Sequence, residues 1–179
     1  MSTDKQDPLN GQAIVYINHW MKDLSLEMKN NLIVSIPEGE APRADINLEI
    51  GATKLQRQES QENFDHLPQV YEVSIRVTVN VGFGQEEKKV NLLKLEAECA
   101  GAFYLNNQIP ADKLDYFIYV KCAEMILPYA RCYVDQALSF SSVYEPISLK
   151  RMDINLEEMF SKGKQSKDAP MPANNPAIA

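Results

Sequence analysis

The chain has 179 residues, 45% of them hydrophobic, and a formal net charge of −7, with a sequence pI of about 4.9. That is enough for one domain with a sizeable core and tails. The acidic balance excludes a nucleic-acid binder, which needs a basic footprint; it is compatible with basic protein partners and equally with plain solubility.

Residues 1–11 are polar and include Pro8, Asn10 and Gly11; they read as a frayed terminus. No apolar run follows Met1–Asp7, so no signal peptide is expected. No stretch approaches the roughly 20 apolar residues of a membrane span. From Gln12 to Met28 the chain reads as a long strand that changes phase. Ala13, Val15 and Ile17 alternate first; Trp20, Leu24, Leu26 and Met28 then share one face, with Asp23, Ser25 and Glu27 on the other. A bulge near His19–Met21 accounts for the change.

Asn30–Arg43 holds Pro37, Gly39 and Pro42 and reads as a long connection, yet Leu32, Ile33, Val34 and Ile36 are unusually apolar for a loop. Either it packs back on the core, the commoner behaviour of such loops, or it forms one wall of an apolar groove. Ala44–Ile50 alternates again, with Gly51 as a bend and a continuation toward Leu55. Arg57–Leu67 is polar and reads as a solvated loop.

The centre of the chain is Val70–Phe103. Tyr71, Val73, Ile75, Val77, Val79 and Val81 alternate with Glu72, Ser74, Arg76, Thr78 and Asn80, which predicts a strand with one buried and one wet face. Gly82–Glu87 supplies a hairpin connection. The return strand, from Lys88 to Phe103, puts Leu93, Leu95, Ala97 and Cys99 on one face and Lys94, Glu96 and Glu98 on the other. After a turn at Asn106–Pro110 a helix starts near Ala111 or Asp112. Leu114, Ile118, Cys122, Met125, Tyr129 and Cys132 recur at threes and fours. Phe117, Val120, Ile126, Leu127 and Val134 widen the apolar surface beyond one stripe, as expected of a helix between two layers; with one sheet in the chain, another subunit could supply the second. Pro128 predicts a kink after Met125. Ser139–Lys150 is a linker, Asp153–Phe160 a short second helix with Ile154 or Leu156 and Phe160 inward, and 161–179 a tail too poor in apolar residues to order itself. The domain thus spans 12–160.

Cys99, Cys122 and Cys132 form no C-x-x-C pair, and with only His19 and His66 in the chain neither a zinc site nor another cofactor is expected. A reduced, cytoplasmic setting fits these thiols. Gly82-Phe83-Gly84 lacks the lysine and following helix of a phosphate loop. The residues alone give an α+β domain without a visible catalytic set.

Four segments, in order, resemble the SecB family of bacterial protein-export chaperones. Lys22-Asp23-Leu24-Ser25-Leu26-Glu27 is similar to its first-strand motif, and Tyr71-Glu72-Val73 with Ile75-Arg76-Val77-Thr78-Val79 to its central strand. Ile126-Leu127-Pro128-Tyr129-Ala130-Arg131 resembles its helix motif, and Ile154-Asn155-Leu156 with Met159-Phe160 its second helix. The chain departs from the family pattern at Lys29 and Leu32, where prolines are usual, in the longer 57–67 loop, and over 139–146. The resemblance implies a four-stranded antiparallel sheet with a long kinked helix and a shorter C-terminal one. It also implies a homotetramer, a dimer of dimers with the long helices between two sheets. The implied activity is ATP-independent holding of unfolded preproteins and their delivery to the export motor SecA, with no enzymatic step and no direct membrane insertion.

The resemblance further implies a motor-binding surface at Asp23, Glu27 and Glu96, with Lys94 at a position usually apolar. On the apolar side, a client groove is expected at Leu32, Ile33, Ile36 and Phe160. Rival readings are a SecB-like chaperone dedicated to a toxin–antitoxin pair or another special client, a small-ligand carrier using the apolar connection and sheet, and, last, an enzyme pairing Cys99 with a histidine.

Overall fold

Alternation of apolar and polar residues builds four strands: β1 (Ile14–Met28), β2 (Arg43–Lys54), β3 (Gln69–Phe83) and β4 (Val90–Leu105). They form one antiparallel sheet in the order β1-β4-β3-β2. The structure is a computed structural model that describes residues 12–28, 43–55, 69–84, 90–140 and 154–168, with side chains to residue 163 in the last span. The expectations for the two connections flanking β2, the hairpin tip, the linker after the long helix and both chain ends lie outside these residues. The α+β architecture of one antiparallel sheet, a long helix and a shorter one is as the sequence predicts.

In β3 the alternation is unbroken from Tyr71 to Val81, ahead of a register shift at Gly82. Val73, Ile75, Val77 and Val79 are almost completely buried, and so are Leu95, Cys99, Phe103 and Leu105 of β4. β2 continues past Gly51 in unbroken register to Lys54, paired with Tyr71. β1 is different. Its register against β4 shifts twice, between Tyr16 and Asn18 and again between Met21 and Asp23, so Ile17 and Lys22 are extra residues on the β1 side. The expected single bulge at His19–Met21 is thus replaced by two that flank it. Each resets which residues face inward. Before the first, Ile14 and Tyr16 pack on the core and Ile17 is exposed, the reverse of the Val15/Ile17 reading. Between them, Trp20 lies opposite Ala100, on the outer face rather than with Leu24. Sequence periodicity cannot count an inserted residue, so it carried one phase across both shifts.

The helical layer covers the inner face. Helix α1 (Ala111–Tyr116) follows Pro110 and has Asp112 in its first turn, where a negative charge suits the helix dipole. A π-helical segment (Phe117–Cys122) and α2 (Ala123–Ser139) continue it, with right-handed helical backbone at both junctions. Pro128 stays inside α2. A departure from the regular α pattern that the sequence did not suggest lies earlier, in the π segment, where each hydrogen bond spans one more residue. That extra residue rotates the apolar stripe and lets Ile118, Val120, Cys122 and Ala123 all be buried. Helix α3 (Leu156–Asp168) packs on the π segment. It runs well past Phe160, where the sequence reading ended it, and an i,i+4 pair between Glu158 and Lys162 at 2.6 Å bridges the extension.

The seat of the long helix is Gly101. It lies in β4 opposite Val73 and His19, and a Cβ there would stand 2.6 Å from Ile126 Cγ2 and 3.0 Å from the Phe103 ring. The missing side chain lets Ile126, fully buried, rest on the sheet backbone. Gly101→Ala should therefore push helix and sheet apart and destabilise the protein by about 1–3 kcal/mol, the usual cost of overpacking a filled core. Urea unfolding of the variant checks this, and a loss near zero would show that Ile126 moves aside freely.

Candidate functional site

On the helical side, α3 is docked by apolar anchors and a polar clasp. Leu156 is buried and Phe160 half-buried. The Phe160 ring centroid lies 6.1 Å from that of Tyr116 and 6.5 Å from that of Tyr119. Tyr116 donates its hydroxyl hydrogen bond to Glu157 Oε1 at 2.5 Å. Lys121 Nζ reaches Glu157 at 3.2 Å and Glu124 at 3.1 Å and sits 5.4 Å from the Tyr116 ring centre. Asn155 starts α3, its Oδ1 accepting from the backbone N–H of Glu158 at 3.0 Å, an N-cap that satisfies one otherwise unpaired donor.

Two open grooves border this junction. One, of about 630 Å³, runs between Leu127, Pro128 and Arg131 of α2 and Ile154, Asn155 and Leu156 before and in α3. The other, of about 430 Å³, lies between Ala13 and Ile14 at the start of β1 and Phe117, Lys121 and Met125 of the long helix. Of the four residues expected at the client groove, the structure places Phe160, whose ring helps dock α3. Leu32, Ile33 and Ile36 lie outside the described residues. Sequence reasoning missed Tyr116 and Tyr119, whose spacing of three put them on one helix face, and the part played by Leu127 and Pro128.

A further apolar strip lies along β1, the edge strand of the sheet among the described residues. Met21, Leu24 and Met28 face the same side as the core, opposite Cys99, Ala97 and Leu93, but they lie on an edge strand. They and Met125 and Tyr129 of α2 are each 37–43% exposed. The wider apolar surface anticipated from the helix sequence is mostly buried within the chain, at Val120, Ile126, Leu127 and Val134; Met125 and Tyr129 are the part of the stripe left exposed.

The other face of the sheet is charged. The register aligns rows across all four strands: Glu27, Lys94, Asn80 and Asp45; then Ser25, Glu96, Thr78 and Asn47; then Asp23, Glu98, Arg76 and Glu49. Asp23, Glu27 and Glu96 therefore share this face, Asp23 and Glu27 on the edge strand and Glu96 one strand inward. The bulge at Lys22 turns that side chain to the same face, where Nζ lies 2.9 Å from Glu72 and 3.3 Å from Glu98. Arg76 holds Glu98 at 2.6 Å. The hydrogen bond from Arg76, aided by Lys22, keeps the Glu98 carboxyl below the usual carboxylate range although burial opposes it. Lys94 pairs with Glu96 at 3.0 Å. The cations are thus engaged with Glu72, Glu96 and Glu98, while Asp23 has no ion pair among the described residues.

The thiols of Cys99 and Cys122 are buried, and desolvation pushes them up to about 11 and about 12. That is the opposite of an activated nucleophile. Among the described residues no group of three or more His, Cys, Asp or Glu side chains could hold a metal ion. No described helix is long and apolar enough to cross a membrane.

Comparison with known proteins agrees with this geometry. The family model described as preprotein translocase subunit SecB matches residues 9–167. The protein-export protein SecB of Bordetella pertussis is 30% identical over 143 residues, covering 80% of this chain and 70% of its own. That of Methylobacillus flagellatus is 28% identical over 166 residues, 93% of this chain and 90% of its own. Among solved structures, the SecB-like chaperone of Mycobacterium tuberculosis, in complex with a peptide from the HigA1 antitoxin, has a similar fold. Its TM-score is 0.52 at 11% identity, over 80% of this chain and 93% of that one. Sheet order, helix placement and the family match across most of the chain lead to one conclusion: the chain belongs to the SecB family of chaperones.

Proposed function

We propose that this protein is an ATP-independent holding chaperone of the cytoplasm that keeps unfolded preproteins competent for export and delivers them to the SecA motor. The observation that carries the reading is the separation of two surfaces in one small domain. Two open grooves, one lined by apolar and charged side chains together and one mainly apolar, lie with an apolar strip on the helical side, and a charged, predominantly acidic face lies on the other side of the same sheet. Unfolded chains of many sequences are held by apolar surface and backbone contacts rather than by a shaped pocket, and the grooves beside α3 offer such surface. A basic partner is steered by exposed carboxylates, and Asp23, Glu27 and Glu96 are grouped for that. The working form is a homotetramer in which the strip of Met21, Leu24, Met28, Met125 and Tyr129 is covered by another copy, since an apolar patch of this kind left wet invites aggregation. A second reading, a chaperone dedicated to one client, is favoured by the fold neighbour's antitoxin peptide.

Leu32, Ile33 and Ile36 are the proposed client-holding residues together with Phe160. Replacing those three aliphatic residues together by serine is expected to weaken suppression of aggregation of a signal-bearing precursor severalfold while leaving assembly intact. Unchanged holding would move the site elsewhere. Against a panel of unfolded proteins, protection of a single client only would favour the dedicated reading.

On the acidic face, Asp23→Lys with Glu27→Lys should lower affinity for SecA about tenfold or more at low salt and less at high salt, because exposed charges are screened within about 8–10 Å at moderate ionic strength. The fold should lose only about 0.5 kcal/mol per site, and client holding should persist. Titration calorimetry at two ionic strengths, run beside the aggregation assay, measures both, and equal SecA affinity for the two proteins at low salt would refute this use of the face.

A further inference from the structure

Helix α3 is held to the rest of the domain by few contacts. Helix α2 buries seven of its side chains. Among its described side chains α3 buries Leu156 alone, with Phe160 half-buried and Met159 exposed. A helix of this length is marginal in water without tertiary packing, so its order reports its docking. The rest of its hold is polar and centres on Lys121. Nζ of that lysine meets Glu157 of α3 at 3.2 Å and Glu124 at 3.1 Å, through side chains that are 35–56% exposed. Tyr116 donates its hydroxyl hydrogen bond to the same Glu157. Exposed ion pairs of this kind contribute little to stability and are screened by salt.

The seat beneath α3 is aromatic. The Phe160 ring is nearly parallel to that of Tyr119, inclined by 22°, and meets that of Tyr116 at 66°, both arrangements that aromatic pairs favour. Phe160 is also the expected client-holding residue that the structure places, and in this form its ring is engaged by the chain's own tyrosines. The start of α3, at Leu156 and Glu157, further supplies one wall of the groove along Leu127 and Pro128. Departure of α3 would remove that wall and bare the tyrosine seat in one movement.

We propose that docked α3 is an autoinhibitory lid: Phe160 fills a seat on Tyr116 and Tyr119 that an aromatic side chain of an unfolded chain takes, and the Lys121–Glu157–Tyr116 clasp sets how readily the helix gives way. The proposal rests on the holding activity given above, and it names unfolded segments bearing aromatic residues as the favoured clients. The occupant follows from the structure, since a phenylalanine ring is what the two tyrosines hold now. Client and Phe160 compete for the same ring faces. The apparent client affinity is therefore reduced to the extent that α3 stays docked, and a weaker clasp raises it. Once released, the Phe160 ring is itself available to the client, which reconciles its docked place with a role in holding.

The test uses the full chain as wild type, Lys121→Met and the control Lys162→Met, whose lysine pairs with Glu158 within α3 and takes no part in the clasp. The probe is a soluble, unstructured peptide bearing phenylalanines, with a counterpart in which serine replaces them. Fluorescence anisotropy reads affinity, and hydrogen exchange by mass spectrometry reads the amides of α3. Lys121→Met should bind the phenylalanine peptide about two- to fivefold more tightly than wild type, the ratio an exposed ion pair is worth. Lys162→Met should bind like wild type. In wild type the bound peptide should speed exchange across α3. Equal or weaker binding by Lys121→Met, equal tightening by Lys162→Met, or exchange that slows or stays unchanged with peptide bound overturns the lid and leaves the holding activity standing. So does a wild type that suppresses aggregation of the precursor but shows no preference for the phenylalanine peptide. A wild type that neither suppresses aggregation nor binds the peptide overturns the holding reading and the lid with it. Should Lys121→Met fail to fold, Tyr116→Phe, which keeps the ring and loses the hydroxyl, takes its place, and the wild-type exchange experiment needs no variant.

Discussion

The contact of Ile126 with the bare backbone at Gly101 sets the distance between the two layers. Interiors are packed to crystal-like density, so that one seat constrains everything around it. It fixes how deeply α2 lies across β4 and β3. It brings Tyr129 down onto His19 at the sheet edge, and it holds the π segment where α3 can dock against Tyr116 and Tyr119. The helix covers β3 and β4 fully but reaches only the near side of β1. For that reason Met21, Leu24 and Met28 remain half-open although they face the core side.

The sheet then divides labour by parity. Residues of one parity along β3 and β4 build the core; those of the other build the charged face. Because antiparallel register aligns these residues in rows, carboxylates far apart in sequence, such as Glu27 and Glu96, come together without any loop to position them. The same rows bring in their own cations. Lys22, raised to this face by a bulge, and Arg76 converge on Glu98, a largely buried carboxylate that alone would be costly to ionise. Much of the acidity is consequently balanced within the sheet, and the edge strand carries the part that is least balanced.

Legibility in the sequence followed the regularity of the backbone. β3 was readable almost residue by residue from Tyr71 to Val81, because no bulge interrupts its alternation before Gly82. The acidic face was readable for the same reason: parity alone places Glu96 and Glu98. β1 was readable as a strand but not as faces, since Ile17 and Lys22 are ordinary residues that announce no bulge. The helix stripe was evident at threes and fours, while the π segment has no residue signature. The extent of α3 was hidden because its continuation past Phe160 is stabilised by Glu158 and Lys162, a charge pair, in place of apolar periodicity. Tyr116 and Tyr119 went unread because their partner Phe160 lies some 40 positions on, and only the fold brings them together.

The strand order has a consequence for how this chain reaches its structure. β3 pairs with β4, its near neighbour in sequence, and with β2 on its other side, but among the described residues β1 pairs with β4 alone, Ile14 meeting Leu105 at the far end of the sheet. Closing that loop must wait for nearly everything between, and the entropy of closure grows with the residues enclosed. β1 is therefore the natural last strand to add and, by the same argument, the first to peel away. It carries Asp23 and Glu27 on one face, and His19 and much of the apolar strip on the other. In native-state hydrogen exchange its amides would report a locally opened form, still holding a β2-β3-β4 core, in which those surfaces are lost together.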